Sequence, residues 1–252
     1  MKRIGILLYR FLNEIIDVRR LIQFPRNYAS YLWALARYSQ KEQRLSIRLL
    51  DLHPRIQERT WTTFVEPHYF YQSNWALERV LQTNPTWHVD IASQIDFVKH
   101  LAVFLPVIFV DIRPIELPLK NLTCYKGSVL NLPFQNGSVP SLSCLHVIEH
   151  IGLGRYGDTL DPYGEEKAAS EIARILSPNA MLYLSTPIGK PRICFNAHRI
   201  LPASQVIKMF EPLRLQEFSI VDDQGRFIPN TRAEEYDNSD YACGMFIFRK
   251  SL

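Results

Sequence analysis

With 252 residues and a formal net charge of +4, from 29 Lys and Arg against 25 Asp and Glu, the chain is long enough for one sizeable α/β domain, alone or with an extension. Its basic residues are dispersed, which argues against a dedicated nucleic-acid surface and leaves acidic or phosphate-bearing small molecules as possible substrates. The four cysteines, Cys124, Cys144, Cys194 and Cys243, have neither metal-knuckle nor secreted-disulfide spacing, so reduced thiols in a cytoplasmic protein are expected.

The opening stretch "MKRIGILLYRFLNEII" starts a pattern that sets Ile4, Leu7, Leu8, Phe11, Ile15, Val18 and Ile22 at helical spacing, with Lys2, Arg10, Glu14 and Arg19 largely opposite. This predicts an amphipathic helix that packs on the domain or on a partner subunit, with adsorption to an anionic membrane surface as the alternative. Arg10 interrupts the apolar stretch and no small-residue cleavage site follows, so no signal peptide is expected. A second helix is predicted at "YASYLWALARYSQ", and "DLHPRIQERTWTTFVEPHYFY" reads as an aromatic-rich connector broken by two prolines. Residues 1–84 thus form a helical N-terminal extension.

After Pro85 short apolar runs alternate with helical or loop segments. The strands read "WHVDIAS", "VIFVDIRP", "LTCYKGS", "LSCLHVI", "MLYLSTP", "LRLQEFSIV" and "YACGMFIFRK", the last able to pair antiparallel. Helices are predicted at "PYGEEKAASEIARIL", with Ala168, Ile172 and Leu176 on one face, and at "ASQVIKMF". The longest apolar run, "LAVFLPVIFV", is about half a membrane span and is broken by Pro106, so no transmembrane segment is expected. The expected fold for residues 85–252 is α/β: a doubly wound, mostly parallel, Rossmann-like seven-stranded sheet. Ligands of such sheets sit outside the carboxyl ends of the strands, near the switch point.

The first strand ends at "DIASQIDF", without the glycine-rich turn that a pyrophosphate needs, which disfavours NAD and FAD more than a cofactor lacking phosphates. Asp111 closes the second strand 18 residues after Ser93, where a carboxylate either accepts ribose hydroxyls or pairs with Arg113 as an ordinary loop acid. The fourth strand runs into "HVIEHIGLGRYGD", which spells His-x-x-Glu-His, the signature of an inverted zinc protease. That signature requires a helix on which His146 and His150 converge. Gly152 and Gly154, each costing a helix interior about 1 kcal/mol relative to alanine, follow too closely for one. The expectation is a strand ending near Val147, with Glu149 and His150 at its exit and no metal.

Beyond it, Gly152, Gly154 and Gly157 permit a loop that carries Arg155, Tyr156 and Asp158. Arg155 suits a carboxylate or phosphate, and Asp158 either a sugar hydroxyl or a turn cap before Pro162. "FNAHRI" brings Asn196, His198 and Arg199 to the same rim. Glu149, His150 and His198 are the candidate catalytic groups, with a base formed by His150 beside Glu149 preferred. Otherwise Glu149 binds loop amides and the histidines fill the wall.

The succession "VDIAS…VDIRP…GSVLNLPFQNGSVPSLSCLHVIEH" resembles the class I S-adenosylmethionine-dependent methyltransferases. More closely, "HVDIAS", "SLSCLHVIEHIGLGRYGDTLDPYGEEKA" and "FNAHRI", between Tyr69 and Phe218, resemble a bacterial family known only as a domain of unknown function. The resemblance implies S-adenosylmethionine as cofactor, with Asp90, Ala92 and Ser93 along its methionine part, Asp111 on the ribose, Ser128 beside the adenine, and His146 in the same wall. Such enzymes commonly carry an acid where Ser128 stands and a glycine in the first turn. The function expected is methyl transfer to a small polar or sugar-like acceptor. A catalytically inactive binding module in polysaccharide biosynthesis is the alternative, and a zinc hydrolase the third reading.

Overall fold

The computed structural model describes residues 5, 9, 11–14, 16–42 and 44–251. Lys2, Ile4, Leu7, Leu8, Arg10 and Ile15 of the amino-terminal amphipathic pattern lie outside the described residues, as do the side chains of Val18 and Arg19. The chain divides into two compact units, residues 1–64 and 65–252. In the first, helix α1 (Val18–Lys41) starts at Asp17, whose carboxylate accepts the Arg20 amide at 3.1 Å. It contains the helix predicted over 28–40. Among the described residues no helix is long and apolar enough to cross a membrane.

The second unit is built on ten strands. They are β1 (His88–Ile91), β2 (Val107–Asp111), β3 (Leu122–Lys126), β4 (Val139–Leu145), β5 (Leu176–Ile188), β6 (Arg192–Cys194), β7 (His198–Ile200), β8 (Arg214–Val221), β9 (Phe227–Ile228) and β10 (Ala242–Arg249). Eight form one sheet in the order β3-β2-β1-β4-β5-β10-β8-β9, while β6 and β7 make a separate hairpin. The first five strands pair in parallel, and β10 inserts antiparallel between β5 and β8. All seven predicted strands are present, and β9 adds a two-residue edge strand.

Four helices cover the sheet: α2 (Pro67–Thr83), α3 (Ile95–Leu101), α4 (Gly164–Ile175) and α5 (Ala203–Met209). Helix α2 takes up residues 67–71 of the predicted connector and continues through residues 72–83 of the stretch read as mainly helical. Pro67 is its first residue, a position at which the missing N–H goes unused, and the Glu66 carboxylate accepts the Tyr69 amide at 2.8 Å. Trp75, Ala76 and Val80 of α2 share a core with Val98 and Leu101 of α3 and with Phe109, Tyr183 and Met245 of the sheet. The unit that contains the sheet begins at Val65 and includes α2. On the opposite face Val89, Leu142, Leu182 and Leu184 meet Ile172 of α4 and Val206 of α5. Burying each such side chain contributes roughly 1.5–3 kcal/mol.

One polar line crosses this apolar interior. Alternation along β1 sends Val89 and Ile91 to the α4 side and leaves the buried His88 and Asp90 on the other. Ser143 Oγ donates to Asp90 Oδ2, so its oxygen accepts from His88 Nε2 at 2.8 Å. That fixes the tautomer, and Ser141 Oγ donates to His88 Nδ1 at 2.7 Å. The ladder ties β1 to β4 with each hydroxyl and imidazole nitrogen partnered. Burial lowers the His88 pKa to about 3 and raises that of Asp90 to about 6.

These shifts act in opposite senses. The raised Asp90 contributes stability that is complete below its unfolded value and lost as pH rises through about 6. The depressed His88 contributes stability that is complete above its unfolded value and lost as pH falls from 6.5 towards about 3. Relative to His88→Asn, the wild-type protein is therefore expected to lose about 3 kcal/mol of stability between pH 7 and pH 4. Urea unfolding of both proteins across that range measures it, and parallel pH profiles would show that His88 is not held neutral.

Candidate functional site

At the carboxyl ends of β1, β2 and β4, where the strand order switches direction, lies a crevice of about 470 Å³. This is the position at which open α/β sheets bind ligands, and the volume is within the roughly 300–1,000 Å³ of small-molecule sites. Its walls combine Ile91, Val110, Ile112 and Val129 with the polar Asp111, Ser128, His146 and His150.

The turn after β1 is built by the ladder beneath it. Asp90 Oδ1 accepts the Ser93 amide at 3.0 Å, and Ser93 Oγ accepts the Leu145 amide at 3.0 Å, joining the exits of β1 and β4. Between them Ala92 is held at φ +50°, a left-handed conformation usual for glycine. The turn thus adopts a glycine-like shape without a glycine, and Ala92 lines the crevice. Asp90 and Ser93 are buried and hold the turn through hydrogen bonds without lining the crevice themselves.

At the tip of β2, Asp111 Oδ1 accepts the Arg113 backbone amide at 2.7 Å. Its Oδ2 meets no donor among the described residues. The Arg113 guanidinium does not pair with Asp111; it lies 4.2 Å from the centre of the Tyr156 ring. Arg155 approaches the same ring at 5.0 Å, and His150 meets it edge-on at 5.6 Å. Ser128 Oγ accepts the Leu130 amide at 3.2 Å while lining the crevice.

The glycine loop is organised by Asp158, read as either a substrate contact or a turn cap, and by Arg199, expected at the rim. Asp158 accepts the amides of Gly152 (2.8 Å), Gly154 (3.3 Å) and Tyr156 (3.2 Å), so its carboxylate is engaged within the loop although it borders the crevice. Arg199 is not at the rim. It is 4 % exposed, donates to the carbonyls of Ile151 (2.5 Å) and Asp161 (3.1 Å), and faces Glu165 at 3.2 Å. Two of its guanidinium nitrogens satisfy the loop's inner carbonyls. Gly152 at φ +81° is obligatory, because a Cβ there would stand 2.1 Å from the Asp161 carbonyl oxygen.

"HVIEH" forms no α-helix. β4 ends at Leu145, His146 is left-handed at φ +53°, and a 3-10 turn spans Ile148–His150. Glu149 is buried between the two imidazoles: Oε1 lies 2.8 Å from His146 Nδ1 and 3.8 Å from His150 Nε2, and Oε2 accepts from Thr186 at 3.4 Å. Burial favours its neutral form, but the charge and hydrogen bond of His146 prevail and hold it below the ordinary glutamate value. His146 Nε2 faces Cys243 Sγ at 3.3 Å.

His150 Nδ1 donates to the Ala197 carbonyl at 2.5 Å, which Arg155 also reaches at 3.0 Å. A carbonyl only accepts, so in the neutral ring Nε2 keeps its lone pair. Burial lowers the His150 pKa and favours that neutral form. His198 is also lowered by burial, stands against Tyr241 at 5.2 Å, and is not in the crevice wall. Asn196 is exposed in the turn between β6 and β7. "FNAHRI" therefore meets the loop through the carbonyl of Ala197 and the buried guanidinium of Arg199, while Asn196 and His198 point elsewhere. Sequence reasoning missed Arg113 as a crevice residue by treating it only as a counterion. Its place two residues beyond a strand-ending acid was the available signal.

Residues 136–250 match a family model described as Caenorhabditis protein of unknown function, DUF268, so the match does not show a bacterial family. No curated protein matches the sequence. Among solved structures the chain is similar to the [4+2]-cyclase SpnF, with TM-score 0.54 and 10% identity over 72% of this chain and 81% of that one. It is similar to the N-methyltransferase NodS of Bradyrhizobium japonicum in complex with S-adenosyl-L-homocysteine, with TM-score 0.53 and 14% identity over 76% and 92%. It is also similar to YcgJ of Bacillus subtilis, with TM-score 0.53 and 13% identity over 73% and 99%. At these identities the likeness shows the fold, that of the class I methyltransferases.

Because the left-handed backbone at Ala92 costs an L-residue roughly 1–2 kcal/mol, Ala92→Gly is expected to be neutral or to stabilise by up to about 1 kcal/mol after the added chain entropy. Denaturant midpoints test this, and a loss above 1 kcal/mol would mean that the Ala92 methyl is needed for packing.

Proposed function

We propose that the chain is an S-adenosylmethionine-dependent methyltransferase acting on a small polar, sugar-like acceptor. The observation that carries this reading is Asp111, with one carboxylate oxygen uncommitted at the tip of β2, beside the left-handed Ala92 turn in a crevice at the sheet's switch point. The donor set fits the cofactor: a carboxylate for ribose hydroxyls, Ser128 with apolar neighbours for the base, and a turn shaped by Asp90 and Ser93 for the methionine part. Such a cofactor supplies a methyl group on a sulfonium, ready for in-line displacement. The protein then has to align the acceptor and exclude water.

His150 is the proposed base. Its Nδ1 is held by Ala197, so Nε2 is left to take a proton from an acceptor hydroxyl, a contribution typically worth about 10²–10⁴ in rate. Glu149 beside it stabilises the imidazolium that results, and His198 is a more distant candidate. Arg155 and Tyr156 are proposed to contact the acceptor from the loop, whose shape Asp158 and Arg199 maintain. The alternative of an inactive binding module has one observation in its favour: the Ala92 methyl stands where first-turn glycines permit close approach.

Calorimetric titration with S-adenosylmethionine and S-adenosylhomocysteine tests the reading. Asp111→Ala is expected to weaken both by about 10- to 100-fold, the worth of hydrogen bonds to a charged group. Absence of binding at millimolar ligand would sink the proposal. In assays following S-adenosylhomocysteine release with sugar acceptors, His150→Ala should lower kcat by about 10²–10⁴ with cofactor affinity unchanged. Binding without turnover on any acceptor would favour the inactive module.

A further inference from the structure

Beside the crevice, residues from three separate elements converge in a way that methyl transfer does not require. His68 of α2, His146 at the exit of β4 and Cys243 of β10 are all buried, and their ligand-type atoms lie within 4.8 Å of one another. His146 presents Nε2 to this group, 3.3 Å from Cys243 Sγ, because its Nδ1 is held by Glu149 at 2.8 Å. A carboxylate on the far nitrogen is the usual means of fixing the tautomer of a metal-bound histidine and raising its basicity. The His68 ring is held by the rings of His146 (5.7 Å) and Tyr241 (5.2 Å). No hydrogen bond to it occurs among the described residues. The left-handed backbone of His146, unfavourable for a non-glycine residue, places its ring in this cluster.

We infer that His68, His146 and Cys243 form a binding site for a borderline-soft divalent cation, zinc above all, with Glu149 as the positioning residue for His146. Two imidazoles and a thiolate are a donor set suited to zinc, and three protein ligands leave one tetrahedral position for water or a substrate atom. Bond lengths of about 2.0–2.1 Å to nitrogen and 2.3 Å to sulfur require ligand atoms roughly 3.5 Å apart. The His146–Cys243 pair is already near that spacing, and His68 has to close the remaining gap. This site differs from the one that "HVIEH" spells: His150 takes no part, and two of the three ligands lie far from the motif in sequence.

Cobalt(II) titration of the full chain, after chelator treatment under reducing conditions, tests the site. One ion should bind per chain and produce a thiolate-to-cobalt charge-transfer band in the near ultraviolet, which an equivalent of zinc then abolishes. Cys243→Ser should remove that band, His68→Ala should weaken binding at least tenfold, and Glu149→Gln should weaken it about 10- to 100-fold. The wild-type spectrum decides the matter even where a variant folds poorly. Cobalt bound without the charge-transfer band, or no binding at micromolar protein, would overturn the inference. Either result leaves the methyltransferase reading intact, since Asp111 and Ala92 lie outside the cluster.

Discussion

The buried ladder Ser141–His88–Ser143–Asp90 is the constraint on which the crevice depends. Four polar side chains are placed between two central parallel strands, where an unpartnered group costs several kcal/mol, so strand register and hydrogen-bond satisfaction become the same condition. A one-residue slip of β1 would turn His88 and Asp90 into the α4 core and Val89 towards the serines. The upper end of the ladder sets the first turn, because Asp90 also takes the Ser93 amide and Ser93 takes the Leu145 amide. Ala92 is thereby forced into a glycine-like backbone, and the switch point opens as a ligand-sized space.

The second boundary of that space is a loop whose order comes from inside. Asp158 gathers three amides and Arg199 satisfies two carbonyls, which lets a glycine-rich segment hold one shape beside the crevice. Arg113 and Arg155 then lie against Tyr156, joining this loop to the segment after β2 by contacts with an aromatic face. Charge is thus carried to the mouth by arginines, while the carboxylates of Asp158 and Glu149 are engaged in fixed internal contacts.

Much of the fold was legible in the sequence because strand periodicity and burial coincide there. Runs such as "VIFVDIRP" and "YACGMFIFRK" are apolar and β-branched or aromatic, and each forms a strand. Helix α2 was legible only as part of a helical stretch: Pro67 reads as part of a connector until its place at the helix start is known, and its stabilising contacts, from Trp75 Nε1 and Arg79 to Glu217, span about 140 residues of sequence. Arg199 misled for a similar reason. An arginine in a polar cluster suggests a rim, whereas here the unpaired carbonyls of a distant loop draw it into the interior.

By itself the sequence determined that a parallel sheet ends in a glycine-free first turn, a strand-ending Asp111, and a glycine loop that denies "HVIEH" its helix. Those are local matters, decided by propensity and backbone conformation over a few residues. Tertiary structure alone decided which side chains face one another: Asp158 and Arg199 turned towards the loop, Arg113 onto Tyr156, and His146 towards His68 and Cys243. The physical reason is that hydrogen bonds and ligand geometry act within about 3 Å, a distance set by packing of elements far apart in the chain and not by spacing along it.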